Sequence, residues 1–158
     1  MPDAPQIQNA TTLPTTTQSL PVSLIRAREA VMAPIRKMLQ KAGITEQQWR
    51  VLRVLSENGR TDAGMLANRA ALMSPSLSRI IQSMENSGLV SREADQNDRR
   101  RQYISITASG QAIIDTHLAE ASDIAAYYRD ILGDEDHDTL VALLQKLALG
   151  LDDQSQDT

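Results

Sequence analysis

Three consecutive arginines, Arg99, Arg100 and Arg101, follow the turn-forming run Asp95-Gln96-Asn97-Asp98. Guanidinium groups gathered at a loop tip bind phosphate, and a narrow minor groove attracts them through its deepened negative potential. Asp98 is an anion and does not suit a phosphate contact. Its spacing predicts an ion pair with Arg100 that fixes the loop and aims the guanidinium. Upstream, Ser76, Arg79, Gln82, Ser83 and Asn86 recur at the spacing of one helix face. Short hydrogen-bonding side chains plus one arginine can meet base edges and phosphates in a major groove. Ser74, Pro75 and Ser78 at the start of that segment, and Arg69 just before it, complete the candidate DNA-contacting set. Read alone, an arginine run is a solvated face and a polar helix face belongs to any exposed helix. Adjacent and in this order, the two signals reinforce each other.

The elements that must position these groups are legible locally. Ser74 is expected as the N-cap of a helix, with Pro75 at its first position, where a missing N–H costs nothing. Leu77, Ile80, Ile81 and Met84 follow the i, i+3, i+4, i+7 rule and mark its buried face. Gly88 closes it. Leu89, Val90 and Arg92 to Ala94 then read as one strand and Gln102 to Thr107 as its hairpin partner, with Tyr103, Ile104 and Ile106 half-buried. A capped helix running into a basic β-hairpin is the layout of a winged helix-turn-helix.

The run NDRRRQYISITASG, preceded by SGLVSREAD, resembles the wing of the MarR family of bacterial transcriptional regulators. The family pattern is Asp-x-Arg-Asp-x-Arg, a strand ending in Leu/Ile-Thr, and a Gly-containing helix start. Here it reads Asp95-Gln96-Asn97-Asp98-Arg99-Arg100, Ile106-Thr107 and Gly110, with Asn97 where arginine is usual. The resemblance covers roughly residues 20–150. The front half, SLPVSLIRAREAVMAPIRKML and GITEQQWRVLRVLSENG, is similar to the branch of regulators of aromatic-acid catabolism that contains the homoprotocatechuate-operon repressor.

Composition bounds the alternatives. The 158 residues fit one domain with an extended dimerisation part. Aromatic content is 3% and phenylalanine is absent, so the core must be aliphatic, which suits helices. The absence of cysteine excludes disulfides and the thiol-based peroxide sensing of some MarR-like regulators. His117 and His137 form no metal-ligand pattern, and no metal or other cofactor is expected. No apolar run reaches membrane-spanning length and no signal peptide is recognised, so a cytoplasmic location is expected. The net charge of −4 conflicts with DNA binding only until it is apportioned: residues 1–59 carry +3, residues 60–106 carry +2 and residues 107–158 carry −9. Local charge, not the total, governs groove binding.

Along the chain, residues 1–19 read as a flexible arm and residues 20–44 as an N-terminal dimerisation helix. Leu24, Ala27, Val31, Ile35, Met38 and Leu39 line one side of that helix; Pro34 should bend it and Gly43 ends it. Residues 45–106 form the winged helix-turn-helix domain. Within it, Thr45 and Gln48 make a capping box for a helix with Trp49, Leu52 and Leu55 inward, closed by Gly59. Thr61 is expected to cap the next helix, with Leu66 and Ala70 inward. Residues 107–151 supply the C-terminal dimerisation helices. Thr107 starts a long one, Gly133 breaks it, and Asp134 caps a last helix bearing Leu140, Leu143, Leu144, Leu147 and Leu151. That stripe is richer than a lone helix needs, and a reader of palindromic DNA needs two copies. Residues 152–158 read as an acidic, frayed tail. The fold class expected is mainly α with a small β-hairpin wing, joined to a helical dimerisation region.

The MarR resemblance further implies an effector pocket lined by the first two helices and the fifth. It would hold Ser23 and Arg26, Trp49 and Arg50, and His117. Arg26 can pair bidentately with a carboxylate, Trp49 can cover an aromatic ring, and His117 can bond a phenol or carboxylate. The plainer reading stays open: Trp49 fills the core, Arg50 lies on a solvated face and His117 sits in an interface. The functional expectation is a homodimeric repressor of an inverted-repeat operator, released by an aromatic carboxylic acid or related phenol. The alternative is an architectural DNA binder without effector. An enzyme is not expected, since paired carboxylates in an apolar setting, a Gly-rich phosphate loop and a histidine cluster are all missing.

Overall fold

The computed structural model describes residues 13–156. Residues 1–12 of the expected arm and 157–158 of the expected tail lie outside the described residues. The elements are α1 (Leu20–Ala42), α2 (Glu46–Asn58), β1 (Thr61–Asp62), α3 (Ala63–Arg69), α4 (Ser74–Asn86), β2 (Val90–Ala94), β3 (Gln102–Ile106), α5 (Ala108–Leu132) and α6 (Asp134–Gln156). The architecture is mainly helical with one small antiparallel sheet, as the sequence predicts.

The chain divides after Pro34 into two compact units. Among its described residues, the first holds a turn at 16–18 and α1 as far as Pro34. Leu24 and Val31 of the expected apolar stripe are exposed there.

The second unit is built around α2. Thr45 and Gln48 form the expected capping box, and Gly59 follows the helix with a φ of 70°. Trp49, Leu52 and Leu55 are buried, as the stripe requires, but so are Val51 and Val54. The reason is that α2 meets α3, α4, α5 and β3, so more than one of its faces is covered. Met38, Leu39, Leu66, Ala70, Leu77, Met84, Ile104 and Ile114 join it in one apolar cluster.

The sheet has the order β1-β3-β2, one strand more than the hairpin expected. Thr61 pairs with Ile104, and Arg92 faces Ile104 from the other side. Thr61 therefore does not cap α3. Its backbone is taken up by the sheet, and the next residue, Asp62, caps the helix by accepting the Met65 N–H at 3.1 Å. Between α3 and α4 the chain turns through Ala71, whose φ of 51° is left-handed.

The wing returns to the helices at Thr107. This residue caps α5, accepting the Gly110 N–H at 3.1 Å. Gly110 is buried, and a Cβ there would run into the Leu89 carbonyl and the side chain of Ile106. Gly133 (φ 78°) ends α5 as expected. Asp134 is the first residue of α6, not its cap, and its carboxylate accepts from Arg129 at 3.2 Å. The helix continues to Gln156, so the segment read as a frayed tail after residue 151 is helical as far as it is described. From Asp134 to Asp153 no residue of α6 is buried. Among the described residues, no helix is long and apolar enough to cross a membrane.

Candidate nucleic-acid interface

Helix α4 separates its two faces cleanly. Leu77, Ile81 and Met84 are buried, while Ser74, Pro75, Ser76, Ser78, Arg79, Gln82, Ser83 and Asn86 are exposed. Its C-terminus closes with two bonds, Gly88 N–H to Glu85 O at 3.0 Å and Leu89 N–H to Met84 O at 2.9 Å, around the left-handed Gly88. This is the Schellman arrangement, which satisfies carbonyls that have no partner within the helix. The start differs from expectation. Met73 holds the N-cap position and offers no side-chain bond, so Ser74 is the first helical residue and caps nothing. Its carbonyl instead accepts the Ser78 hydroxyl at 3.3 Å.

The tip of the wing is shaped by two aspartates acting on backbone. Asp95 Oδ1 accepts the N–H of Asn97 at 2.7 Å and of Asp98 at 3.1 Å. These bonds hold its carboxyl below the ordinary value near 3.8, and the guanidinium groups of Arg101 and Arg60 act in the same direction. Asp98 Oδ1 accepts the backbone N–H of Arg100 at 3.0 Å. The expected Asp98–Arg100 ion pair is therefore replaced by a backbone bond, because a two-residue step favours an Asx-type turn over a side-chain pair. Asp98 shapes the loop from within it. Arg99, Arg100 and Arg101 are all exposed, and Arg100 and Arg101 border a hollow of about 150 Å³ beside Asp62, Ala63 and Gly64. The structure thus brings the arginine tip next to the start of α3. Arg69, at the other end of α3, donates to Asn58 Oδ1.

Two arginines that sequence reasoning did not single out hold the wing from opposite faces. Arg60 lies 3.9 Å from the centroid of the Tyr103 ring and 3.7 Å from Glu93 Oε2. Arg92 reaches from β2 to α4, donating to Glu85 Oε2 at 2.7 Å and to Gln82 Oε1 at 2.9 Å. The available signal was strand alternation, which puts Arg92 on the inner face with Ile104, and Tyr103 on the outer one.

The five candidate effector residues fall in both units. Ser23 and Arg26 are exposed on α1 in the first unit. In the second, Trp49 is 9% exposed within the apolar cluster, Arg50 is exposed, with Nη1 3.5 Å from the Ala71 carbonyl, and His117 is half-buried on α5.

A helix-turn-helix with an exposed polar second helix, followed by an arginine-tipped hairpin, defines a winged helix-turn-helix protein. The family model described as the MarR family matches residues 42–101. The transcriptional regulator FarR of Neisseria gonorrhoeae is 40% identical over 130 residues, covering 82% of this chain and 89% of that protein. The homoprotocatechuate degradative operon repressor of Escherichia coli is 43% identical over 106 residues, 65% of this chain and 72% of the repressor. Among solved structures, NadR in complex with 4-hydroxyphenylacetate superposes with a TM-score of 0.73 at 39% identity, over 86% of this chain and 98% of NadR. The chain belongs to the MarR family of transcriptional regulators.

Proposed function

We propose that this protein is a homodimeric repressor that binds an inverted-repeat operator and leaves it when an aromatic carboxylic acid or related phenol binds. The observation that carries the DNA-reading half is the exposed polar face of α4, packed on β2 of the hairpin whose exposed tip is Arg99–Arg101. One element suits a major groove and the other a minor groove or phosphates. The acidic C-terminal third lies on different elements, α5 and α6, which leaves the reading elements with net positive charge.

The dimer is supported by α6. Leu140, Leu143, Leu144 and Leu151 are 45, 57, 39 and 58% exposed. An apolar stripe of this length on a monomer would be a liability, and a second copy supplies the cover. Two-fold symmetry then sets the paired α4 helices about one turn of DNA apart, roughly 34 Å.

The effector class is supported by the relatives: one represses a homoprotocatechuate operon and another is solved with 4-hydroxyphenylacetate. Arg26, exposed on α1, is the candidate donor to a carboxylate, with Ser23, Trp49, Arg50 and His117 as the remaining candidates. Calorimetry with hydroxyphenylacetate-, benzoate- and cinnamate-type acids, run alongside gel shifts on a selected operator, tests both halves. Binding of an acid that also releases DNA is the expected result. To empty a largely occupied operator, the acid must favour the released state by about 5 kcal/mol. DNA binding indifferent to all of these acids would leave a constitutive DNA binder.

A further inference from the structure

We propose that Arg92 is a positioning residue for sequence readout, locking the recognition helix to the wing and fixing the carboxamide of Gln82 for one base pair. This rests on α4 being the DNA-reading helix.

Arg92 lies on β2 opposite Ile104, which is 1% exposed. Paired residues of adjacent strands project from the same face, so the Arg92 side chain runs along the side of the sheet that packs on α4. Its Nη2 donates at once to Glu85 Oε2 (2.7 Å) and Gln82 Oε1 (2.9 Å), and its Nη1 lies 3.5 Å from Gln102 Oε1 on β3. The Arg92 and Glu85 side chains are only 25% and 32% exposed, so this pair is screened less than a fully exposed one. One planar group thus spans the helix and both wing strands.

The consequence for Gln82 follows from counting its hydrogen-bonding capacity. A carboxamide has two acceptor sites and two donors. Arg92 occupies one acceptor site, and Asn86 Oδ1 takes one donor at 3.1 Å. One acceptor and one donor remain, the pair that a glutamine uses on the N6 and N7 edge of adenine. Without Arg92 the amide is free to flip, and a flipped amide presents the wrong pattern. A hydrogen-bonded cation also fixes which end of the amide is oxygen. Arg92 therefore acts on specificity through Gln82, without a DNA contact of its own.

The test uses the full-length protein. A pool of duplexes with a randomised core is selected on the wild type, and every base pair of the selected site is then varied singly. Arg92→Ala, Gln82→Ala and the double variant are compared, with salt titrations for each. Both single variants should flatten preference at the same base pair by about 5- to 150-fold, the range of one lost bidentate contact. The double variant should add nothing at that pair, and the salt slope should stay at the wild-type value. Arg92→Lys, which keeps the charge but not the planar fork, guards against loss of folding; it should show the same flattening to a smaller degree. Full preference at that pair in Arg92→Lys overturns the proposal. So does a uniform loss over all sequences with a slope reduced by about 0.9, the mark of a phosphate contact. So does flattening at different pairs in the two single variants. A wild type that selects no site at all removes the reading of α4 itself, and this proposal with it.

Discussion

The Thr107 hydroxyl donates to the Gly88 carbonyl at 2.6 Å, so the residue that caps α5 also holds the end of α4. Its own N–H donates to Leu89 O at 3.1 Å. One side chain and one peptide group thereby join α4, the entry to β2 and the first turn of α5. Thr107→Val keeps the shape and removes both hydroxyl bonds. It should cost about 1–2 kcal/mol in urea unfolding, the size of a lost N-cap, whereas Thr107→Ser should be near neutral. Gly110→Ala, pressed against Leu89 O, should cost about 1–3 kcal/mol by overpacking the same joint.

Arg100→Ala should weaken operator binding and lower the salt slope by about 0.9 without changing the melting temperature. Arg100 is exposed, so the fold does not depend on its side chain. Asp98→Ala should weaken binding less, because it frees the Arg100 N–H and loosens the loop while leaving the guanidinium present. Unchanged gel-shift affinity for Arg100→Ala would contradict the assignment of the wing.

Arg79→Ala should relax one base-pair position by about 1–3 kcal/mol if the guanidinium forks onto guanine. Equal weakening on all sequences would make it a phosphate clamp. Competition against single-substituted operators separates the two.

The Asp95 carboxyl should titrate below its ordinary value near 3.8 when followed by NMR. Its ionised form accepts two backbone N–H bonds that the protonated form holds less well. By linkage, a lowered folded pKa gives stability that is present in full above the unfolded value and is lost as pH falls through the folded one. The tip should therefore keep its order down to about pH 4 and loosen only below that. A titration at or above the ordinary value would contradict the two-bond turn at the tip.

Leu143→Glu should convert the full chain from dimer to monomer in light scattering, since a charge on the α6 stripe cannot be buried against a partner. A wild-type chain that is already monomeric at micromolar concentration would refute the dimer.

Local signals were legible where they were decided locally. The Thr45–Gln48 box, the glycines at 43, 59, 88 and 133, and the hairpin around Asp95–Arg101 all follow from residues within a few positions of one another. The Ser74 and Asp134 caps and the Asp98–Arg100 pair fail locally, by one position or by a competing backbone bond, and the other departures depend on distant partners. Thr61 and Asp62 are both good caps, and only the pairing of Thr61 with Ile104 decides between them. A two-residue strand carries no periodicity to read. A single apolar stripe on α2 leaves out Val51 and Val54, while the tertiary fold covers more than one face. Arg92 passed as an ordinary strand residue because its partners, Gln82 and Glu85, are ten and seven positions away on another element. The charge of Asp98 suggests an ion pair, but its reach to the backbone is the stronger constraint.

Trp49 is the sole tryptophan of the chain and is 9% exposed in the cluster around α2. Intrinsic fluorescence excited in the indole band is therefore a single-site optical probe. Every red shift on denaturation reports the opening of that one cluster, with no second emitter to deconvolute. Because α2 touches α3, α4, α5 and β3, the same emission registers any repacking that passes between α5 and the helix-turn-helix or wing. The molecule carries its own label at the crossing point of its helices, and equilibrium or stopped-flow titrations need no dye.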